Sequence, residues 1–277
     1  QWGRYTFLGF DPLLEISCQD GTMTIKGATT TTRKVDHPKE AIRQILEENR
    51  SPRLKDLPTF TGGLVGYFSY DYIKYAEPTL ELEKADEDSF KDVDLMLFDK
   101  VIAFDNFRQK MILIVNMKTD AMEEEYHKAE LELERLAYLI RNGNPAPNQP
   151  LKLKGELQPT FSKEKYCEMV EKAKHYIREG DIFQVVLSNR LEAEMEGSLL
   201  DAYRVLRTTN PSPYMFYFFS DDIEIAGASP ETLVKLTDGK LFTYPLAGTR
   251  PRGASKEEDQ RLERELLADE KERAEHN

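Results

Sequence analysis

The chain reads as an α+β fold, and three observations predict it. Strand-like and helix-like segments are mixed without a regular strand–helix–strand alternation, which argues against a doubly wound sheet. From "YMFYFFS" onward, four strand candidates follow one another with no helix between them. A stretch with three prolines and no periodicity, "NGNPAPNQP" (142–150), interrupts the pattern once, near the middle. It places the internal boundary, giving 1–145 and 146–277 as two regions.

Before that boundary, "RYTFLGF", "LLEIS" and "TMTIKG" alternate like sheet, with a turn at Gln19–Asp20–Gly21. A short helix is predicted from Pro38 to Asn49, with Ala41, Ile42, Ile45 and Leu46 as its apolar stripe. "TGGLVGYFSYDY" (61–72) is a Gly-rich strand whose glycines suggest a bulge or close backbone approach. "DLMLFDKVIAFDN" and "KMILIVNM" predict two long buried strands joined by a turn around Asn106–Arg108. A helix then runs from Asp120 to Arg141, with Met122, Tyr126, Ala129, Leu133, Leu136 and Ile140 on one face.

After the boundary, Ser162 is placed to cap a helix that turns Tyr166, Val170, Ala173 and Ile177 inward. Gly180 is placed to stop it. "DIFQVVLSNRLEA" predicts a buried strand and "LLDAYRVLRT" a helix. "YMFYFFS", "IEIAGAS", "TLVKLT" and "KLFTYPLAG" predict successive strands. One highly charged helix is predicted from Ser255 to the end.

Composition excludes several classes. The 277 residues are 40% hydrophobic and 32% charged, which is ordinary for a globular protein. No apolar run approaches the ~18 residues that span a bilayer, so no membrane is expected. No signal-peptide pattern opens the chain. Cys18 and Cys167 are the only cysteines, too few for a disulfide framework, and a reducing cytoplasm fits best. A net charge of −12 argues against a nucleic-acid partner. It does not forbid a small anionic substrate, which local donors bind. There is no P-loop or dinucleotide fingerprint. The first residue is Gln1 rather than Met, and the reading expects residues upstream of it.

Four places could carry chemistry, each with a plainer alternative. "YPLAGTRPRG" (244–253) offers Gly248, Thr249 and two arginines for an anion, or is a surface turn. Glu231 follows the "IEIAGA" strand, as a general acid or as an early acidic residue of a helical turn. Glu272, Glu275 and His276 stand at i, i+3 and i+4, so two carboxylates could share a cation. The same residues suit a solvated, ion-paired helix. "NPSPYMFYF" (210–218) is a binding edge or a turn entering a core strand. His37, His127 and His175 have no partner pattern and read as surface residues.

Taken in order, "GRYTFLGFDP", "GGLVGYFSYD", "YIREGDIFQVVLSNR", "NPSPYMFYF", "IAGASPETLVKL", "YPLAGTRPRG" and "LLADEKERAEH" span almost the whole chain. Together they resemble the chorismate-utilising enzymes, and within them the component I (large subunit) of anthranilate synthases. The resemblance implies a fold of two packed β-sheets with surrounding helices, built from two lobes. Residues 1–145 would be the N-terminal, regulatory-side lobe and 146–277 the first part of the chorismate-binding catalytic domain. It also implies chorismate, ammonia and Mg²⁺ as reactants and cofactor, with anthranilate and pyruvate as products, the first committed step of tryptophan biosynthesis. A glutamine amidotransferase subunit would be the partner that supplies ammonia.

Carried over, Glu231 would protonate the departing C4 hydroxyl of chorismate. Ala247, Gly248, Thr249 and Glu272 would line the substrate, and Glu275 with Glu272 would bind the Mg²⁺. Gln184 stands where water-adding relatives have a lysine base, and an amide cannot deprotonate water. Ala247 stands where many aminodeoxychorismate synthases have a nucleophilic lysine. Both positions favour ammonia at C2. Asn210, Pro211, Pro213, Tyr214 and Met215 resemble half of a tryptophan feedback site. The other half, a "LLES"-like segment, has no counterpart here.

The family pattern also continues past Asn277 into a further lobe. The reading therefore expects a chain truncated at both ends, an incomplete C-terminal lobe, and no anthranilate from these residues alone. The alternatives are an aminodeoxychorismate synthase component I, or a non-catalytic remnant that binds an amino acid or a partner.

Overall fold

The computed structural model describes residues 3–77, 79–80, 90–147 and 149–276. Asn148 of the predicted linker, and Gln1 and Asn277, lie outside them. The chain divides into two compact units, Gln1–Ala146 and Pro147–Asn277.

In order, the first unit contains β1 (Tyr5–Leu8), β2 (Leu14–Gln19), β3 (Thr22–Lys26), β4 (Thr30–Lys34) and α1 (Lys39–Glu48). β5 (Gly63–Phe68) runs into a 3-10 turn at Tyr70–Tyr75. β6 (Val93–Phe98), β7 (Lys100–Asp105), β8 (Lys110–Val115) and α2 (Met122–Asn142) complete it. Five strands form one antiparallel sheet in the order β4-β3-β2-β6-β5, and three form a second in the order β1-β7-β8. The β2–β3 turn places Asp20 and Gly21 at positive φ (49° and 69°), the geometry that matches strand twist in a two-residue hairpin.

The core gathers Ile16, Cys18 and Met23 with Val93, Leu95 and Leu97, covered by Ala41, Ile42 and Ile45 of α1. Leu46, the fourth residue of the predicted stripe, is instead exposed. β6 is buried on both faces, as a central strand must be to read as a continuous apolar run.

Here the strand expected across 94–106 is corrected. It breaks at Asp99, so β6 belongs to the larger sheet and β7 to the smaller one. Asn116 anchors the break: its N–H and side-chain amide both donate to the Asp99 carbonyl, at 2.7 and 2.9 Å. The same amide reaches the Thr61 carbonyl at 2.7 Å. β4 is fully exposed and Thr-rich, and no apolar alternation announced it. Of the predicted α2 stripe, only Leu136 is fully buried, where the helix packs on β8; Met122, Tyr126 and Ile140 are exposed.

Two polar clamps hold this unit. The Tyr75 hydroxyl donates to Asp92 at 2.7 Å and accepts from the Gly21 N–H at 2.8 Å, tying the β2–β3 turn to the 3-10 segment. Lys74 completes it, 2.7 Å from Asp92 and 3.0 Å from Asp20. The second clamp is Arg4, whose guanidinium holds the Asp105 carboxylate at 2.8 Å.

That hydrogen bond, helped by the N–H groups of Arg108 and Phe107, pulls the Asp105 carboxyl down to about 2. A folded pKa below the unfolded value of about 3.9 stabilises the fold above that value. The contribution is lost as pH falls from about 4 towards 2. Asp105→Asn is therefore expected to flatten the acid limb of the stability curve in this window, measured by urea midpoints from pH 5 to 2. An unchanged limb would sink the assignment.

The second unit contains β9 (Lys152–Leu153), β10 (Gln158–Pro159), α3 (Lys163–Glu179), β11 (Leu191–Glu192), β12 (Met195–Glu196) and α4 (Leu200–Thr209). β13 (Tyr214–Phe219), β14 (Glu224–Ser229), β15 (Thr232–Thr237), β16 (Lys240–Tyr244), α5 (Lys256–Ala268) and α6 (Glu270–His276) follow. Its strands pair antiparallel in twos: β9 with β12, β10 with β11, β13 with β14, β15 with β16. Ser162 caps α3, its hydroxyl accepting from the Lys165 N–H at 3.2 Å, and Gly180 ends it at φ 84°. Glu224 receives the Ser198 hydroxyl at 2.6 Å, the Leu199 N–H at 2.9 Å and the Tyr217 hydroxyl, seating α4 on β13 and β14.

Three expectations are corrected in this unit. Of the strand predicted over 181–193, only Leu191–Glu192 forms, while Phe183 and Val186 are 87% and 85% exposed. A strand persists only with a ladder partner; the Arg190 carbonyl still accepts the Thr160 N–H at 2.8 Å, but no ladder among the described residues includes 181–189. The inward stripe of α3 is accordingly only part-buried, with Ile177 exposed. The single helix predicted from Ser255 onward is two helices, α5 and α6, separated at Asp269.

Candidate active site

The site lies within the second unit and is built on the β15–β16 hairpin. Thr232 pairs with Tyr244 across it, so the segment entering β15 lies beside the loop leaving β16. Glu231, immediately before β15, accepts the Leu246 N–H at 3.3 Å through Oε1. The acid and the "YPLAGT" loop are thereby neighbours.

The break at Asp269 positions the next two carboxylates. Asp269 Oδ1 accepts the N–H groups of Lys271 and Glu272 at 3.1 and 3.2 Å, capping α6 at its start. The Glu272 N–H, first, and Arg250 hold the Asp269 carboxyl below its ordinary value. α6 then sets Glu272 directly on Gly248. A Cβ added at Gly248 would lie 2.0 Å from the Glu272 carboxyl carbon, so only a glycine admits this carboxylate. Glu272 Oε2 is buried and has no hydrogen-bond partner. Glu275 lies one turn on, and its Oε1 accepts from the Gln184 side-chain amide at 3.4 Å. Lys271 stands 3.8 Å from Glu272 and 4.0 Å from Glu275.

The structure thus brings Glu231 to the 246–248 loop, Glu272 to Gly248, and Gln184 to Glu275. Thr249 follows Gly248 directly, and its carbonyl accepts from Arg250 at 3.1 Å. Ala247 is part-buried beside Gly248. Tyr214 pairs with Ser229, and its hydroxyl lies 2.6 Å from that of Thr232, next to Glu231. Met215 sulfur accepts the Ser212 N–H at 3.3 Å, closing the turn through Pro211 and Pro213. Asn210 ends α4.

Sequence reasoning missed Asp269, and it offered Arg250 to a small anion, whereas the guanidinium meets the Asp269 carboxylate. A signal was present: Asp269 and Glu272 have the N-cap and N3 spacing of a capping box. In the fold, Asp269 does cap, while Glu272 faces Gly248.

An orphaned, buried carboxylate oxygen is costly unless a cation or donor meets it. Glu272 therefore fits a divalent ion, and Glu275 supplies a second hard oxygen. Among the described residues no group of three or more His, Cys, Asp or Glu side chains is gathered. The pair would furnish part of a coordination shell.

The α+β frame agrees with the comparisons. The chain belongs to the chorismate binding enzyme family, which it matches over residues 1–277. Within that family it is similar to anthranilate synthase component 1 of Acinetobacter calcoaceticus, 43% identical over 99% of this chain and 57% of that protein. The protein of the same name from Acetivibrio thermocellus is 41% identical over 100% of this chain and 58% of its own length. The crystal structure of anthranilate synthase component I from Streptococcus pneumoniae TIGR4 matches with a TM-score of 0.81 and 33% identity, covering 99% of this chain and 59% of that one. The chain thus spans a little under three fifths of the length of these relatives. No helix among the described residues is long and apolar enough to cross a membrane.

Proposed function

We propose that the protein acts as component I of an anthranilate synthase, converting chorismate and ammonia to anthranilate and pyruvate in tryptophan biosynthesis. The observation that carries this reading is the juxtaposition of Glu231 with the Leu246 N–H, in a loop whose Gly248 admits the Glu272 carboxylate. The naming of the relatives supports it.

Glu231 presents its carboxyl to the C4 hydroxyl of chorismate, and protonation lets that oxygen leave as water. Ammonia forms the C–N bond at C2 as the C4–O bond breaks. Loss of the C2 proton and of the enolpyruvyl group, as pyruvate, leaves the aromatic ring of anthranilate. Gly248 and Thr249 hold the ring carboxylate through backbone N–H and hydroxyl. Glu272 and Glu275 hold Mg²⁺, which supplies positive charge against the substrate carboxylate.

Gln184 donates to Glu275 and is no base, so water is not activated there. Ala247 offers no nucleophile, which separates this site from lysine-bearing aminodeoxychorismate synthases. The 1–145 and 146–277 regions serve as N-terminal lobe and catalytic-domain portion. A glutamine amidotransferase subunit delivers ammonia in the cytoplasm, and residues 210–215 contribute to a tryptophan effector site.

The test is an assay of the protein with chorismate, ammonium and Mg²⁺, read by anthranilate fluorescence. From a polypeptide of the relatives' full length, anthranilate and pyruvate in equal amounts are expected; the 277 residues by themselves, under three fifths of that length, are expected to form none. An aminated product that keeps its enolpyruvyl group would instead make it an aminodeoxychorismate synthase. Tryptophan binding without chorismate binding would make it a non-catalytic module.

A further inference from the structure

From the contacts between the 246–250 loop and α6, we infer that Arg250 and Asp269 form a positioning pair that sets where the Glu272 and Glu275 carboxylates stand. The inference rests on the functional reading above for the role of those carboxylates, but not for the geometry.

One Arg250 nitrogen donates to Asp269 Oδ2 at 2.9 Å, and another to the Thr249 carbonyl at 3.1 Å. The guanidinium therefore fixes its own loop and the helix cap together. Asp269 divides its carboxylate between two tasks. Oδ2 faces Arg250, while Oδ1 takes the first free N–H groups of α6. The start of α6 is thus tied to the backbone carrying Gly248, and Glu272, three residues on, lands on that glycine.

An alternative role, global stability, is a poor fit. Arg250 and Asp269 side chains are 31% and 32% exposed, and ion pairs this exposed contribute little to stability. Their effect is geometric. A plain surface pair would leave α6 free to pivot about Asp269. Here the loop carbonyl and the helix cap are joined through one planar group, as groups supporting a metal site are.

The experiment is a Mn²⁺ titration of the protein by electron paramagnetic resonance, with Mn²⁺ standing in for Mg²⁺, alongside steady-state kinetics. Arg250→Ala and Asp269→Ala are expected to weaken Mn²⁺ binding by roughly 10–100-fold. Asp269→Asn, which keeps a good helix cap but loses the charge partner, falls between these and the parent. Arg250→Lys restores part of the affinity, and both conservative variants carry the test where an alanine variant fails to fold. At saturating metal, kcat falls less than the metal affinity does. The double alanine variant binds no more weakly than Asp269→Ala, because the pair acts as a unit.

Affinity within twofold of the parent in all four single variants would overturn the inference, as would a parent that binds no Mn²⁺. A parent that binds Mn²⁺, with weakened variants but no anthranilate formed, leaves the pair standing and removes the proposed activity. Anthranilate formation with metal affinity indifferent to the pair does the reverse.

Discussion

Glu231→Gln is expected to lower kcat for anthranilate formation by roughly 10²–10⁴-fold while leaving chorismate affinity within a fewfold of the parent. The amide has the shape of the acid and keeps an oxygen to accept the Leu246 N–H, so the loop need not move. What it lacks is a proton to give. Hydroxide is a poor leaving group, and loss of the C4 hydroxyl without protonation raises the barrier of the step in which ammonia adds. Glu231 is the carboxyl whose oxygen meets the loop N–H of Leu246. Glu272 and Glu275 are on α6, and Gln184 is an amide. The check is kcat at saturating ammonium, with chorismate binding measured separately by calorimetry. A kcat within threefold of the parent would move the acid elsewhere.

Tyr214 adds a reason for the precision of that acid. Its backbone pairs with Ser229 on one side of Glu231, and its hydroxyl meets Thr232 on the other. The residue that enters the proposed effector segment thus also braces the segment carrying the acid.

How far this was legible in the sequence differs by element. α1 and α3 were readable because local rules decide them: a 3.6-residue apolar stripe in one, and a Ser cap with a Gly stop in the other. The strands of the hairpins β13–β14 and β15–β16 were readable as successive apolar, aromatic and β-branched segments. The break at Asp99 was not, because β6 and β7 are both buried and a strand that changes sheets keeps its apolar run. What splits them is Asn116, seventeen residues away, and no local pattern encodes it. Residues 181–190 failed in the opposite direction. Their apolar run is real, but a strand needs a neighbour, which composition does not supply.

In the site, the i, i+3 spacing of Glu272 and Glu275 was visible and their orientation was not. A capping-box spacing made Glu272 as suited to closing its own helix as to facing a loop. The contact with Gly248 decides between them, and it depends on Arg250 meeting Asp269 across nineteen positions of sequence.

Gly248→Ala is the second large effect, and a comparison with Gly66→Ala shows why it falls on function. At both glycines an added Cβ would stand 2.0 Å from its nearest neighbour, well inside contact distance. At Gly66 that neighbour is the Asp94 carbonyl oxygen, with the Leu95 Cα at 2.8 Å, and φ is +155°. Those atoms belong to β6, the most buried strand of the first unit, and cannot retreat. Gly66→Ala should therefore cost about 3 kcal/mol of stability or more, read as a lowered urea midpoint.

At Gly248 the neighbours are the carboxyl atoms of Glu272, the far end of a flexible side chain. They can swing away at the price of leaving their position. Gly248→Ala should then fold with a near-parental midpoint but lose about 10–100-fold in Mn²⁺ affinity and in activity at low metal. Adding Glu272→Ala to it should restore no activity, since the carboxylate itself is what the site needs. If Gly248→Ala kept both metal affinity and kcat, the Glu272 carboxylate would have no required place on the loop. The loop and α6 would then have to be separated in any account of the chemistry.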